Sequence, residues 1–169
     1  MVKLLVFCTL MLFWSRADKQ TERYTVTFDI KDIMNMSGNS ELVNDAGQIR
    51  AEIELRKDGV SVDDQIVDKI DGVYQTSGST NAGITLNASM TKIQDSRDGG
   101  LVWKREMLSQ NGISWSSEGK TGVELKTLIG KGEVTIALEE NMDSDLQAMF
   151  LMERIHHARA LLISELASY

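Results

Sequence analysis

The sequence predicts an α+β domain: an antiparallel, curved β-sheet of about 7–8 strands packed against a long C-terminal helix, with one short helix near residues 62–71. Three observations carry this expectation. Apolar and polar side chains alternate through much of residues 24–138, the period of strands with one dry and one wet face. Glycine-bearing pairs that favour tight turns interrupt the alternation. From Ser144 onward the period changes to that of a helix.

Taken in order, Tyr24, Val26, Phe28 and Ile30 alternate with Thr25, Thr27 and Asp29 and predict a first strand. Residues 37–47 are polar and read as a loop. Ile49, Ala51, Ile53 and Leu55 alternate with Arg50, Glu52, Glu54 and Arg56 as a second strand. Val62, Ile66, Val67, Ile70, Val73 and Tyr74 recur at helical spacing. Ser61 suits their N-cap, Asp63 and Asp64 suit the helix dipole and Gly72 suits the stop, which together predict the short helix. Alternation resumes at 84–90, 101–107, 123–125 and 134–138. Asp58-Gly59, Asp98-Gly99-Gly100, Asn111-Gly112, Glu118-Gly119 and Gly130-Lys131-Gly132 sit where a meander of neighbouring strands reverses.

Ser144 with Gln147 has the pattern of a capping box, and Asp143 and Asp145 lie at the positive end of the helix it opens. Leu151, Ile155, Ala158, Leu162, Leu166 and Tyr169 form one apolar stripe; Leu146, Met149, Phe150 and Met152 widen it at the start. A helix this apolar must bury itself, and the dry face of the sheet is the natural partner. This element order resembles helix-grip domains, where a curved sheet wraps a C-terminal helix around an apolar cavity. It is also similar to lipocalins, whose Gly-x-Trp signature near the first strand is absent here. The stretch 84–107, with Asp98-Gly99-Gly100-Leu101-Val102-Trp103, resembles a strand pair in bacterial envelope accessory lipoproteins, which carry an acylated cysteine this chain lacks.

The N-terminus carries an address. Lys3, the apolar run from Leu4 to Trp14, and Ser15-Arg16-Ala17 have the layout of a cleavable secretory signal peptide. Cleavage near Ala17 leaves residues 18–169 as a single α+β domain, secreted to an extracellular or periplasmic space. The apolar run is about half the roughly 20 residues a spanning helix needs, so no transmembrane segment is expected in the mature chain. The only cysteine, Cys8, leaves with the signal, and with it any disulfide or thiol chemistry. The chain's net charge is −7, and cleavage removes Lys3 and Arg16 but no acid. An acidic surface without a basic patch argues against nucleic-acid partners.

Little catalytic material is present. No cysteine remains, no Gly-x-Ser-x-Gly elbow occurs, and no phosphate-cradling glycine loop precedes a helix. No cofactor and no enzymatic activity are therefore expected. Glu153, His156 and His157 form Glu-x-x-His-His, a weak metal candidate, since adjacent histidines point about 100° apart on a helix. Asn35-Met36-Ser37 and Asn87-Ala88-Ser89 are sequons. The expected function is that of a secreted, non-enzymatic binding protein holding an apolar small molecule or lipid between sheet and helix. Trp103, Trp115, Met149, Met152, Ile155 and Leu162 are the candidate lining residues, because methionine and aromatic side chains suit adaptable apolar sites. The alternative is an interaction or structural subunit that docks through a sheet edge or the Met/Phe-rich helix.

Overall fold

The computed structural model describes residues 23–63, 65–77, 83–97, 100–107, 112–118, 120, 122–139 and 143–168. The signal-like segment 1–17 and Cys8 lie outside the described residues, as do Asp98-Gly99, Asn111, Gly119 and Tyr169. The strands are β1 (Arg23–Asp29), β2 (Gly38–Asn44), β3 (Ile49–Arg56), β4 (Gly59–Val62), β5 (Gln65–Ile70) and β6 (Val73–Ser77). They continue as β7 (Ile84–Leu86), β8 (Lys92–Asp95), β9 (Leu101–Met107), β10 (Gly112–Ser116), β11 (Val123–Ile129) and β12 (Glu133–Glu139). The helices are α1 (Ile30–Asn35), between β1 and β2, and α2 (Ser144–Leu166).

These strands do not form the open sheet of 7–8 strands that the alternation predicts. All twelve pair antiparallel with their sequence neighbours, and β1 closes the ring against β12 from Arg23↔Glu139 to Asp29↔Glu133. The sheet is a closed up-and-down barrel. Much of the shortfall lies in two stretches. The polar stretch read as a loop is β2, which buries a single side chain, Leu42, and pairs along β3 from Gly38↔Leu55 to Val43↔Ile49.

The expected short helix near 62–71 is instead the β4–β5 hairpin and the turn into β6. Val62↔Gln65 and Ile70↔Val73 are the last pairs before two-residue loops. Asp71 (φ 52) and Gly72 (φ 84) both take the left-handed conformation of a type I′ turn. Gly72 thus turns a hairpin where it had been read as ending a helix. β-Branched Val and Ile favour the pleated surface once that turn is in place. At the other end Gly59 faces Asp68, and a Cβ there would lie 1.9 Å from the Val67 carbonyl oxygen.

Closure dictates what the interior must hold. About eight strands already give a lumen that side chains just fill, and twelve give one too wide for them. Here α2 fills it. Nine consecutive residues, Gln147 to Ile155, are buried, so every face of two and a half turns is covered. The helix runs against β4–β7 on one side and β11–β12 on the other, and its Phe150 ring meets side chains of β9 and β10. Its N-cap is Asp143, whose carboxylate accepts the Leu146 N–H; Ser144 is the first helical residue and does not form the expected capping box.

α2 enters at the mouth where β12 ends and β1 begins. It leaves at the opposite mouth, where the Arg159 guanidinium donates to the Met34 carbonyl of α1 at 3.2 Å. Its 23 residues span about 35 Å, against a barrel height of about 20 Å for tilted strands of this length. Residues 163–168 accordingly project into solvent, with Ile163 and Leu166 exposed.

Candidate functional site

The six candidate ligand-lining residues all belong to the packed core. Trp103 and Trp115 face inward from β9 and β10, and Met149, Met152, Ile155 and Leu162 lie on α2. Phe150 sits between the two indoles, edge-on to Trp103 at 5.9 Å and tilted against Trp115 at 5.4 Å. The space between sheet and helix is therefore filled by side chains of the chain itself. Met149, Phe150 and Met152 are fully buried in the lumen, and every strand of the ring has two neighbours.

Charged groups also enter the lumen. Glu153 and Arg154 are both completely buried. Arg154 donates through Nε to Glu153 Oε2 at 2.6 Å and through Nη2 to Oε1 at 2.7 Å. Arg105, inward on β9, donates to the same Oε1 at 2.8 Å. This use of Glu153 separates it from the two histidines. His156 Nε2 lies 3.2 Å from the Tyr74 hydroxyl, and the two rings stack edge-on at 5.3 Å. His157, its neighbour, is half-buried. Glu153, His156 and His157 do not converge, and among the described residues no group of three or more His, Cys, Asp or Glu side chains is placed to hold a metal ion.

Burial pushes the His156 imidazole below its ordinary 6.5, reinforced by the positive charges of Arg159 and Lys69 and opposed by Glu153. The folded state thus prefers neutral His156. Its contribution to stability is fully present above pH 6.5 and is lost as pH falls from there through the lower folded-state value. Acidification is expected to lower the urea midpoint of the native chain more than that of His156→Gln, which keeps a partner for Tyr74 without the proton. Equal slopes in the two proteins would remove His156 as the cause.

At the mouth where α2 enters, Arg97 gathers three carboxylates. It donates to Asp95 on β8 (3.0 Å), to the N-cap Asp143 (3.1 Å) and, from Nη1, to Asp145. Asp95 above all, with Asp143, raises the Arg97 pKa well above its usual value, against the cost of burial. Burial raises that of Asp145, against the opposing pull of Arg97. One guanidinium therefore fastens the first turn of the helix to the β8–β9 loop. Arg97→Gln is expected to cost about 2–3 kcal/mol in a denaturant titration, because Asp95 and Asp145 stay buried without their counter-charge. A change under about 0.5 kcal/mol would show that the cluster does not hold the helix.

The outer wall has a different character. A groove of about 790 Å³ crosses β2, β3 and β4, lined by Asn39, Ser40, Glu41, Glu52, Glu54 and Asp63 among others. Pairing sets Glu41 directly opposite Glu52, and Asp63 follows on the far side, its N–H donating to the Glu52 carbonyl at 2.8 Å. Asn39, Glu54 and Ser61 make the next row. Like charges directly opposite destabilise a sheet, yet among the described residues none of the four acids has an ion-pair partner and no cation lines the groove. A second groove, of about 800 Å³ between Gly100 and Glu118, mixes Lys104 with Glu106 and Glu118.

Of the two sequons, Asn35 is exposed at the end of α1. Asn87, expected inside a strand, follows the end of β7 and closes a turn. Its Nδ2 donates to Ser89 and Thr91, and its Oδ1 accepts from the N–H groups of Thr91 and Lys92.

The pattern reading missed Arg97, Arg105 and Arg154 as positioning groups. The signal for Arg97 was the acid-rich entry Asp143–Asp145 on an apolar helix, which needs a cation if buried. Among the described residues no helix is long and apolar enough to cross a membrane. No protein-family model matches the chain, and no curated protein or solved structure matches it significantly.

Proposed function

We propose that this chain is a non-enzymatic, exported interaction protein that binds a basic segment of a partner along the groove on the outer wall of β2–β4. The supporting observation is the acidic cluster of Glu41, Glu52 and Asp63: Glu41 and Glu52 face each other across β2 and β3, Asp63 follows β4 with its carboxylate accepting the Glu52 N–H at 2.8 Å, and none of the three has an ion-pair partner among the described residues. A row of repelling charges on an otherwise well-paired sheet is a local rule broken, and such places tend to be functional. A lysine- or arginine-rich peptide supplies the missing charge and is steered in by an acidic chain of net charge −7.

The test is binding of an oligolysine peptide at several salt concentrations. Affinity is expected to fall steeply with salt and to drop at least tenfold in Glu52→Lys/Glu54→Lys. Equal binding by that variant, or equal binding of a neutral peptide, would sink the reading. The same repulsion predicts that Glu52→Gln raises stability by about 0.2–1 kcal/mol while weakening the peptide complex. Export is tested by N-terminal sequencing of the secreted product, which should begin near Asp18.

A second reading, apolar-ligand binding, draws on the Met- and Trp-lined lumen. Because side chains of α2 fill that space, it requires the ligand to displace part of the helix packing. A stoichiometric, saturable shift of Trp103 and Trp115 fluorescence on adding a fatty-acid probe would favour it over the groove.

A further inference from the structure

The lumen holds a charge imbalance. Arg105 and Arg154 bring two guanidiniums to one carboxylate, Glu153. Among the described residues the inward positions of the barrel wall supply no second anion near them. These described positions are otherwise apolar or uncharged apart from Lys69, a further cation over the Tyr74 ring, and Asp95, which sits at the mouth of the barrel and is taken by Arg97. Arg154 has no exposed surface, and its Nη1 has no hydrogen-bond partner among the described residues. Trp115 Nε1 is likewise a buried donor without an acceptor. The two lie on the same side of the helix: Trp115 packs on Phe150, one turn before Arg154, and Trp115 is the cross-strand partner of Arg105.

Arg154 is paired with Glu153, so the surplus positive charge falls on Arg105, whose side chain is 22 % exposed at the lumen's edge, while the unmade Nη1 N–H of the fully buried Arg154 is costly. Water would satisfy the N–H and leave the charge; a small anion satisfies both. We propose that the barrel interior binds one halide-sized monovalent anion at Arg154 Nη1, on the Trp115 side of α2.

The experiment compares thermal midpoints of the whole protein in potassium chloride and potassium gluconate at equal ionic strength, gluconate being too bulky for the lumen. The midpoint is expected to be higher by a few degrees in chloride and to saturate with chloride concentration. Arg154→Met strands Glu153 in the core and tests folding as much as binding, so the deciding variants are Arg105→Gln, which balances the lumen charge and should shrink the chloride effect severalfold, and Glu153→Gln, which should enlarge it. Bromide-soaked crystals should give an anomalous peak in contact with Arg154 Nη1. Equal midpoints in the two salts, an effect unchanged in Arg105→Gln, or no bromide peak beside Arg154 would overturn the proposal.

Discussion

A chain cut after Asp143 is expected not to form the barrel. The cut removes Met149, Phe150, Leu151, Met152 and Ile155, all fully buried, and leaves a twelve-strand wall around nothing. Each of these side chains contributes about 1.5–3 kcal/mol by burial, so together they carry on the order of 10 kcal/mol. A domain's whole margin is typically about 5–15 kcal/mol. Near-ultraviolet circular dichroism and a thermal scan should show no cooperative transition in the cut chain. Adding a synthetic peptide of residues 143–169 should restore one. Cooperative melting of the cut chain alone would mean that the wall stands without its filling.

Within the intact chain, Phe150→Ala is expected to be the most damaging single truncation, at about 3–5 kcal/mol. The ring is completely buried and meets both lumen tryptophans, so its loss leaves a cavity that two rigid indoles cannot collapse into. Leu166→Ala should change stability by less than about 0.5 kcal/mol, because that side chain is 67 % exposed beyond the exit mouth. Urea titrations of the two variants give the comparison. Similar losses for both would place the helix against the outside of the sheet.

The sequence made the strands of strongest alternation legible. Tyr24, Val26 and Phe28, and Ala51, Ile53 and Leu55, face inward as their period requires. It hid strands whose inward face is nearly polar: β2 buries Leu42 alone, and no alternation marks it. Residues 62–74 misled because consecutive hairpins of four to six residues placed Val62, Ile66, Val67, Ile70 and Val73 at spacings that also suit a helix. Asp71-Gly72 was the better signal there, since that pair is a strong hairpin turn.

The long helix was located correctly, from Ser144, but its setting was not. Treating Leu151, Ile155 and Leu162 as a stripe implied one buried face. Ala148-Met149-Phe150-Leu151-Met152, five apolar residues in succession, covers all faces, and a helix apolar all round is buried all round. The site was less legible than the fold. Glu52 and Glu54 were visible as outward residues, but their alignment with Glu41 and Asp63 depends on register across three strands. The pairing of Arg105 with Glu153 joins positions 48 apart and could be read only after the barrel closed around the helix.

A filled barrel requires α2 to lie inside the ring, and native-state hydrogen exchange measures that residue by residue. Amides from Ala148 to Ile155 should exchange only on global unfolding, as slowly as the slowest strand amides, while those of residues 163–168 exchange orders of magnitude faster. Fast exchange through 148–155, with the strands still protected, would show that the barrel stands without its helix and would refute the account.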